Sequence, residues 1–331
     1  MTKTKSAKNL LSRSFITTLI CVFVLMLGGC FFPVPSNDIP ETSDVSPSDS
    51  NSEETADEFE TIYLIEKETF YRKDGSISSW LEFTYDDQGK MLKKTNNSED
   101  GRFGGWIEYA YDAQGKQLTE THYSSDGASG IKNERIYDAQ GNMLESVSYK
   151  SDGSAGGGFV YTYDAQGNQL SVTNHKGNGE IGIRIESTYD AQGNQLSETY
   201  YRSDGSPDYR AENTYDDQGN LLSITSYDGD GSLSYWAEYT YDVQCNRLSE
   251  KGYKSDGSPG DWFAFTYDAQ GNRLDSISYY ADDTIHGRSE YTYDANNNLL
   301  KEISYRSDDS ISEWIERTYI AIEIPVSDDK K

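Results

Sequence analysis

The chain has 331 residues, with 56 acidic against 29 basic side chains, a net charge of −27, 27 tyrosines, 29 glycines and only 7 prolines. A charge that negative argues against nucleic acid and anionic lipid as direct partners and leaves basic or cation-mediated ones. The aromatic residues recur periodically, which excludes disorder throughout, and the composition suits a turn-dense all-β chain better than a helical one. At the N-terminus, Lys3, Lys5, Lys8 and Arg13 precede an apolar run from Phe15 to Leu27. Residues 1–29 therefore read as a secretory leader, the run being too short for an ordinary spanning helix.

The run ends in Leu27-Gly28-Gly29-Cys30, which resembles the lipobox of bacterial lipoproteins. The resemblance implies cleavage before Cys30, a diacylglycerol on its thiol and an acylated amine, several chains giving a stable anchor where one binds only reversibly. It implies membrane localisation through lipid, and, with Phe31 rather than Asp next, the outer membrane in a host that has one. Loss of the leader removes four positive charges and no negative ones. With Cys21 gone and Cys30 acylated, no intrachain disulfide is expected, so stability has to come from the sheet.

Residues 30–59 hold Ser, Asp, Glu and Pro with few apolar residues, the composition of a self-repelling acidic tether. Beyond it one hexapeptide, Tyr-Asp-Ala-Gln-Gly-Asn with near copies, organises the chain. Its tyrosine stands at Tyr85, Tyr111, Tyr137, Tyr163, Tyr189, Tyr215, Tyr241, Tyr267, Tyr293 and Tyr319, every 26 residues. A fixed period means one supersecondary unit in tandem. A second signal, Tyr-x-Ser-Asp-Gly-Ser, runs half a repeat out of phase, with tyrosines such as Tyr123, Tyr149 and Tyr201; Asn97 and His175 fill its two gaps.

Offsets are counted from the hexapeptide tyrosine. Apolar residues at minus eight, minus four, minus two and zero give a period of two, hence a strand with one aromatic face and Glu, Thr, and Trp or Arg on the other. After the turn a second strand carries Leu at plus seven, Thr, Val or Ile at plus ten and usually Tyr at plus twelve. Three-residue loops, Ala-Gln-Gly and Ser-Asp-Gly, each a type I turn closed by a left-handed glycine, pair even offsets with even and gather all tyrosines on one side. Where that glycine is replaced, by Asn297, Asp283, Asp309 and Cys245, a positive φ is expected, with strain at the cysteine. The expected fold is all-β: tandem 26-residue β-hairpins in a long coiled antiparallel meander over residues 60–326, tyrosines concave, residues 318–326 an end cap with Pro325 at an edge, and residues 327–331 a charged tail.

The Tyr-Asp-x-x-Gly-x-x-Leu core with a following Asp-Gly resembles the YD repeats of RHS (rearrangement hotspot) proteins over residues 61–319. It implies hairpin repeats spiralling into a shell or barrel on a secreted or surface protein, with carbohydrate binding as an expectation. Two departures stand out: Asn usually replaces the family's Arg after the glycine, and the spacing is longer. The twelve residues after Tyr319 leave no room for the toxin domain of full RHS effectors.

Two sets of side chains are candidates for binding. All five tryptophans, Trp80, Trp106, Trp236, Trp262 and Trp314, share offset minus five with Arg184, Arg210 and Arg288. Beside a glutamate column they could form a platform on which sugar rings stack, or they could be cross-strand packing and ion pairs. The even register also sets Glu108 opposite Glu120 and Glu238 opposite Glu250, which calcium between carboxylates would relieve. His122, His175 and His286 stand at different offsets with no nucleophile column, so no catalytic residue and no enzyme is expected. The functions that remain are a lipid-anchored module binding or adhering to a glycan or protein, or a structural spacer without a specific ligand.

Overall fold

The computed structural model describes residues 59–99 and 103–325. The leader, Cys30, the tether up to residue 58 and the charged tail lie outside them. Every element is a strand: β1 (Phe59–Arg72), β2 (Ile77–Tyr85), β3 (Met91–Ser98), β4 (Phe103–Tyr111), β5 (Gln117–Tyr123), β6 (Ser129–Tyr137), β7 (Met143–Tyr149), β8 (Ala155–Tyr163), β9 (Gln169–Lys176) and β10 (Ile181–Tyr189). The second half repeats the pattern with β11 (Gln195–Tyr201), β12 (Pro207–Tyr215), β13 (Leu221–Asp228), β14 (Leu233–Tyr241), β15 (Arg247–Lys254), β16 (Pro259–Tyr267), β17 (Arg273–Tyr279), β18 (Ile285–Tyr293), β19 (Leu299–Arg306) and β20 (Ile311–Pro325).

Both kinds of loop are built as the spacing predicts. In the hexapeptide turn the Asp112 N–H donates to the Lys116 carbonyl (2.9 Å) and the Gly115 N–H to the Asp112 carbonyl (3.0 Å), while Asp112 Oδ1 accepts from the N–H groups of Gln114 and Lys116. The aspartate thus satisfies donors that the tight turn leaves unpaired. Gly115 has φ 83°, and Cys245, Asp283, Asn297 and Asp309 adopt φ 63, 64, 63 and 59°. Asp309→Gly removes a side chain from the left-handed region and should raise stability by about 0.5–1 kcal/mol in urea unfolding. The expectation of no intrachain disulfide turns on Cys21 and Cys30, which lie outside the described residues.

The meander does not end in free edges. β1 pairs antiparallel with β2 on one side and with β20 on the other, from Phe59↔Pro325 through Arg72↔Glu313. The twenty-stranded sheet is therefore closed, and residues 318–325 are half of the seam, where the sequence suggested a terminal cap. Closure answers the edge problem directly, because no ladder of unpaired N–H and C=O groups is left exposed. Twenty strands about 4.8 Å apart make a perimeter of roughly 96 Å, so a round barrel would be about 30 Å across before strand tilt widens it.

The expected register is off by one. Next to the turn the pairs are even, as in Tyr111↔Gln117, but the following pair is Ala110↔Thr119 and Leu118 has no partner. A matching bulge recurs at the other hairpins, as where Tyr201↔Pro207 is followed by Tyr200↔Tyr209 and Asp208 is passed over. One extra residue flips every later side chain to the other face. The plus-twelve tyrosines consequently lie opposite the minus-five column, as in Trp106↔Tyr123 and Arg184↔Tyr201, on the other face from the offset-zero and minus-two aromatics. The leucines at plus seven occupy the bulges, which explains why each stays exposed, from Leu118 at 38 % to Leu92 at 41 %.

The same bulge explains the invariant hexapeptide tyrosine. Its hydroxyl donates to the carbonyl twenty residues back, from Tyr85 to Ile65 (2.8 Å) through Tyr215 to Gln195 (2.9 Å) to Tyr319 on Leu299 (2.9 Å), in all ten repeats. That carbonyl belongs to the residue at the bulge, where the neighbouring ladder has already stopped: β3 and β4 last pair at Lys93↔Glu108. Each latch is worth about 1 kcal/mol net and fastens one hairpin to the next.

All the named buried side chains, Ala211, Ala237, Tyr239, Phe265, Ser187 and Ser226, fall on the face of the offset-zero tyrosines, where a closed sheet crowds its side chains. That face is the lumenal one. Among the described residues no large side chain is fully buried, so the opposite walls do not meet in a dry core.

Candidate functional site on the lumenal wall

The tryptophans and arginines at minus five stand on the outer face, each against the strand beside it. Trp106 stacks on Tyr123 at 4.8 Å, Trp236 on Tyr253 at 4.9 Å, Trp262 on Tyr279 at 3.9 Å and Trp314 on Tyr71 at 5.0 Å. From the opposite neighbour Lys93 lies over Trp106, Lys251 over Trp262, Lys301 over Trp314 and Lys67 over Trp80. Both broad faces of Trp106, Trp262 and Trp314 are thus covered from within the wall. Arg184 pairs with Glu186, Arg210 with Glu212 (2.5 Å), and Arg288 with Glu290 (2.6 Å) and Asp275 (2.7 Å). A sugar stacking on these indoles would have to displace a tyrosine or a lysine.

The facing glutamates are a consequence of the wrong register. Glu108 lies opposite Thr121 and Glu238 opposite Lys251, on the outer face, whereas Glu120 lies opposite Tyr109 and Glu250 opposite Tyr239, on the lumenal face. Glu108 accepts the Trp106 indole N–H (2.8 Å), while Glu120 holds Arg135 (3.0 Å) and His122 (2.7 Å). The wall separates the two members of each pair, so neither can share one calcium ion. Among the described residues no group of three or more His, Cys, Asp and Glu side chains is arranged to hold a metal.

In a repeat array a site is found where the repeat is broken, and on the lumenal face that happens between β11 and β17. The plus-six column reads Met91, Gln117, Met143, Gln169, Gln195 and Leu221, then Arg247 and Arg273, then Leu299. Beside the two arginines lie Tyr239 and Phe265, each 7 % exposed, and Ala237 at 1 %. Next to these Tyr200 packs edge-on against Tyr209 (5.6 Å), whose hydroxyl shares a 2.6 Å hydrogen bond with Ser226. The small residues Ala211, Ala237 and Gly252 leave room for these rings, the Tyr235 ring occupying the space a Gly252 side chain would take. The wall here presents phenols, guanidinium groups and carboxylates side by side.

No known protein family matches the chain, and no curated protein does. Among solved structures it is similar to the Tc holotoxin pore of Photorhabdus luminescens (16 % identity over 71 % of this chain, TM-score 0.44) and to TcdB2-TccC3-Cdc42 (15 % over 75 %, TM-score 0.37). It spans only 13 and 14 % of those toxin chains. A porin-like protein from Bacteroides uniformis is similar at 10 % identity, with 77 % of this chain and 98 % of that one covered and a TM-score of 0.35. The fold assignment rests on the hairpins themselves. In a membrane-spanning barrel the outward band is apolar, whereas the middle of this outer wall carries Glu82, Glu108, Glu134, Glu186, Glu212, Glu238, Glu290 and Glu316 at offset minus three.

Burial raises the carboxyl pKa of Glu198, against a smaller opposite pull from the Tyr200 hydroxyl, and burial also raises that of Glu250, opposed by Arg247. A raised folded-state pKa contributes stability at acid pH that is lost as pH rises through the folded pKa. Glu198→Gln should therefore raise the melting temperature at pH 7 and change it little at pH 4, in thermal scans across that range. The turn aspartates act oppositely: hydrogen bonds from their own loops, first from Asn142 to Asp138 and Asn168 to Asp164, lower their pKa, so that contribution is lost as pH falls.

Sequence reasoning picked neither arginine of this patch. The signal was present, since Arg occurs at plus six in two adjacent repeats only. The expected even pairing already set that offset opposite the offset-zero tyrosine, as in Tyr241↔Arg247 and Tyr267↔Arg273.

Proposed function

We propose that the chain is a lipid-anchored envelope protein whose closed repeat barrel is a non-catalytic scaffold enclosing a solvated lumen. The observation that carries this reading is that the repeat's signature side chains are spent on the wall: ten tyrosine hydroxyls latch neighbouring hairpins, the aspartates hold their turns, and each tryptophan packs on a tyrosine, a lysine or both. Side chains so committed are building material. The lipid anchor follows from the Leu-Gly-Gly-Cys resemblance at Cys30, and metabolic labelling with a palmitate analogue should mark the native chain but not Cys30→Ala. The scaffold predicts that glycan-array and cell-wall pull-down signals are at background, and unchanged by Trp106→Ala with Trp236→Ala. Strong signal that the double variant abolishes would return the outer tryptophans to the role of a sugar platform. A second reading, binding inside the barrel, is favoured by the β11–β17 patch alone.

A further inference from the structure

Arg273 is the charged side chain whose presence the wall does not account for. Its Nε is enclosed and has no hydrogen-bond partner, and among the described residues no carboxylate lies within salt-bridge distance of it. Its guanidinium sits over the Phe265 ring at 4.8 Å and near Tyr291 at 6.0 Å. On the other side of the same ring Arg247 stands at 4.9 Å, with Tyr239 at 5.7 Å. Arg247 is neutralised by Glu250 at 3.1 Å; Arg273 is not neutralised.

Other repeats place Met, Gln or Leu at this offset and keep the same strands and turns, so the fold does not require a cation here. Aromatic faces attract a guanidinium but accept none of its hydrogen bonds in the plane, and those donors are what planar oxyanions take in pairs. Phe265, 7 % exposed, fixes both arginines from between, so little side-chain freedom remains to be lost on binding.

We propose that Arg273 is a lumenal site for an oxyanion, a carboxylate or phosphate carried by a small solute that enters the barrel. It depends on the closed lumen of the scaffold reading and goes beyond it, since a barrel that binds no anion would still be a scaffold. The fork of Arg273 takes two oxygens, while Arg247, held by Glu250, braces Phe265 from its other side. The bound group then provides the counter-charge that the wall omits.

The test is isothermal titration calorimetry of the purified full-length chain with inorganic phosphate, with a galacturonic acid trimer and with the neutral galactose trimer. Saturable binding of phosphate or the acidic trimer and none of the neutral one is expected, and the tighter of the two names the source of the oxyanion. Arg273→Gln should weaken that binding more than tenfold, and Arg273→Lys, which keeps the charge but not the fork, at least threefold. Arg202→Gln, at an outer turn where Arg202 pairs with Asp208, should leave it within twofold. If Arg273 served only to pack on Phe265, Arg273→Gln would lower the melting temperature and the wild type would bind neither anion. That result overturns the site, as does equal affinity in Arg273→Gln or Arg273→Lys and wild type, or equal loss in Arg202→Gln.

Discussion

Arg317→Ala is expected to destabilise the barrel by about 3 kcal/mol, toward the lower end of what breaking a buried ion pair costs. Arg317 on β20 stands directly opposite Glu68 on β1 across the closing seam, with Nε 2.7 Å from the carboxylate and side chains only 13 and 17 % exposed. Its other nitrogen reaches Glu302 on β19 at 3.9 Å. Alanine leaves two carboxylates on the lumenal side of the seam with no cation between them. The cost of an uncompensated charge falls on the pairing that joins the first and last described strands. Urea unfolding should show the loss, with Glu68→Gln smaller because it leaves Arg317 its contact with Glu302. A change below about 1 kcal/mol for Arg317→Ala would mean that closure does not depend on this pair.

Gly105→Ala should cost a comparable amount, about 3 kcal/mol, from left-handed backbone strain and overpacking together. Gly105 on β4 has φ 104°, and a Cβ there would come 2.1 Å from the backbone carbonyl oxygen of Tyr123 on β5. Backbone has to move, and the Trp106–Tyr123 stack beside it moves too. The stack supplies the readout: tryptophan emission should shift along with the unfolding midpoint. Gly153→Ala is the control. Its φ of 79° is equally left-handed, but nothing lies within 4 Å of the added carbon, so only the strain of about 1 kcal/mol should appear. Equal losses in the two variants would show that the close approach at Gly105 contributes nothing.

Much of the wall was legible because its determinants are local. The positive φ at Asp283, Asn297, Asp309 and Cys245 follows from each standing in a turn-glycine slot, and the turn aspartates needed only the loop length. The candidate site was legible only in part: the even register already set plus six, with Arg247 and Arg273, on the tyrosine face, but the columns beyond the bulge were turned to the wrong side. Leu118 looks like any apolar strand residue, yet it is left out of the pairing. Glu120 and Glu250 were accordingly set against partners from which the wall divides them, and Arg247 and Arg273 were not singled out.

The amino-acid sequence by itself determined the repeat period, the all-β class, the position and type of the loops, and the columns of like residues. These depend on contacts within a single hairpin, whose chemistry recurs every 26 residues. Only the tertiary structure decided which column faces the lumen and that the sheet is a ring. The first depends on a bulge that is filled by leucine and stabilised by a tyrosine from the next repeat. The second depends on β1 meeting β20, a pairing between opposite ends of the domain that becomes available only when the twist of all the intervening strands has brought them together.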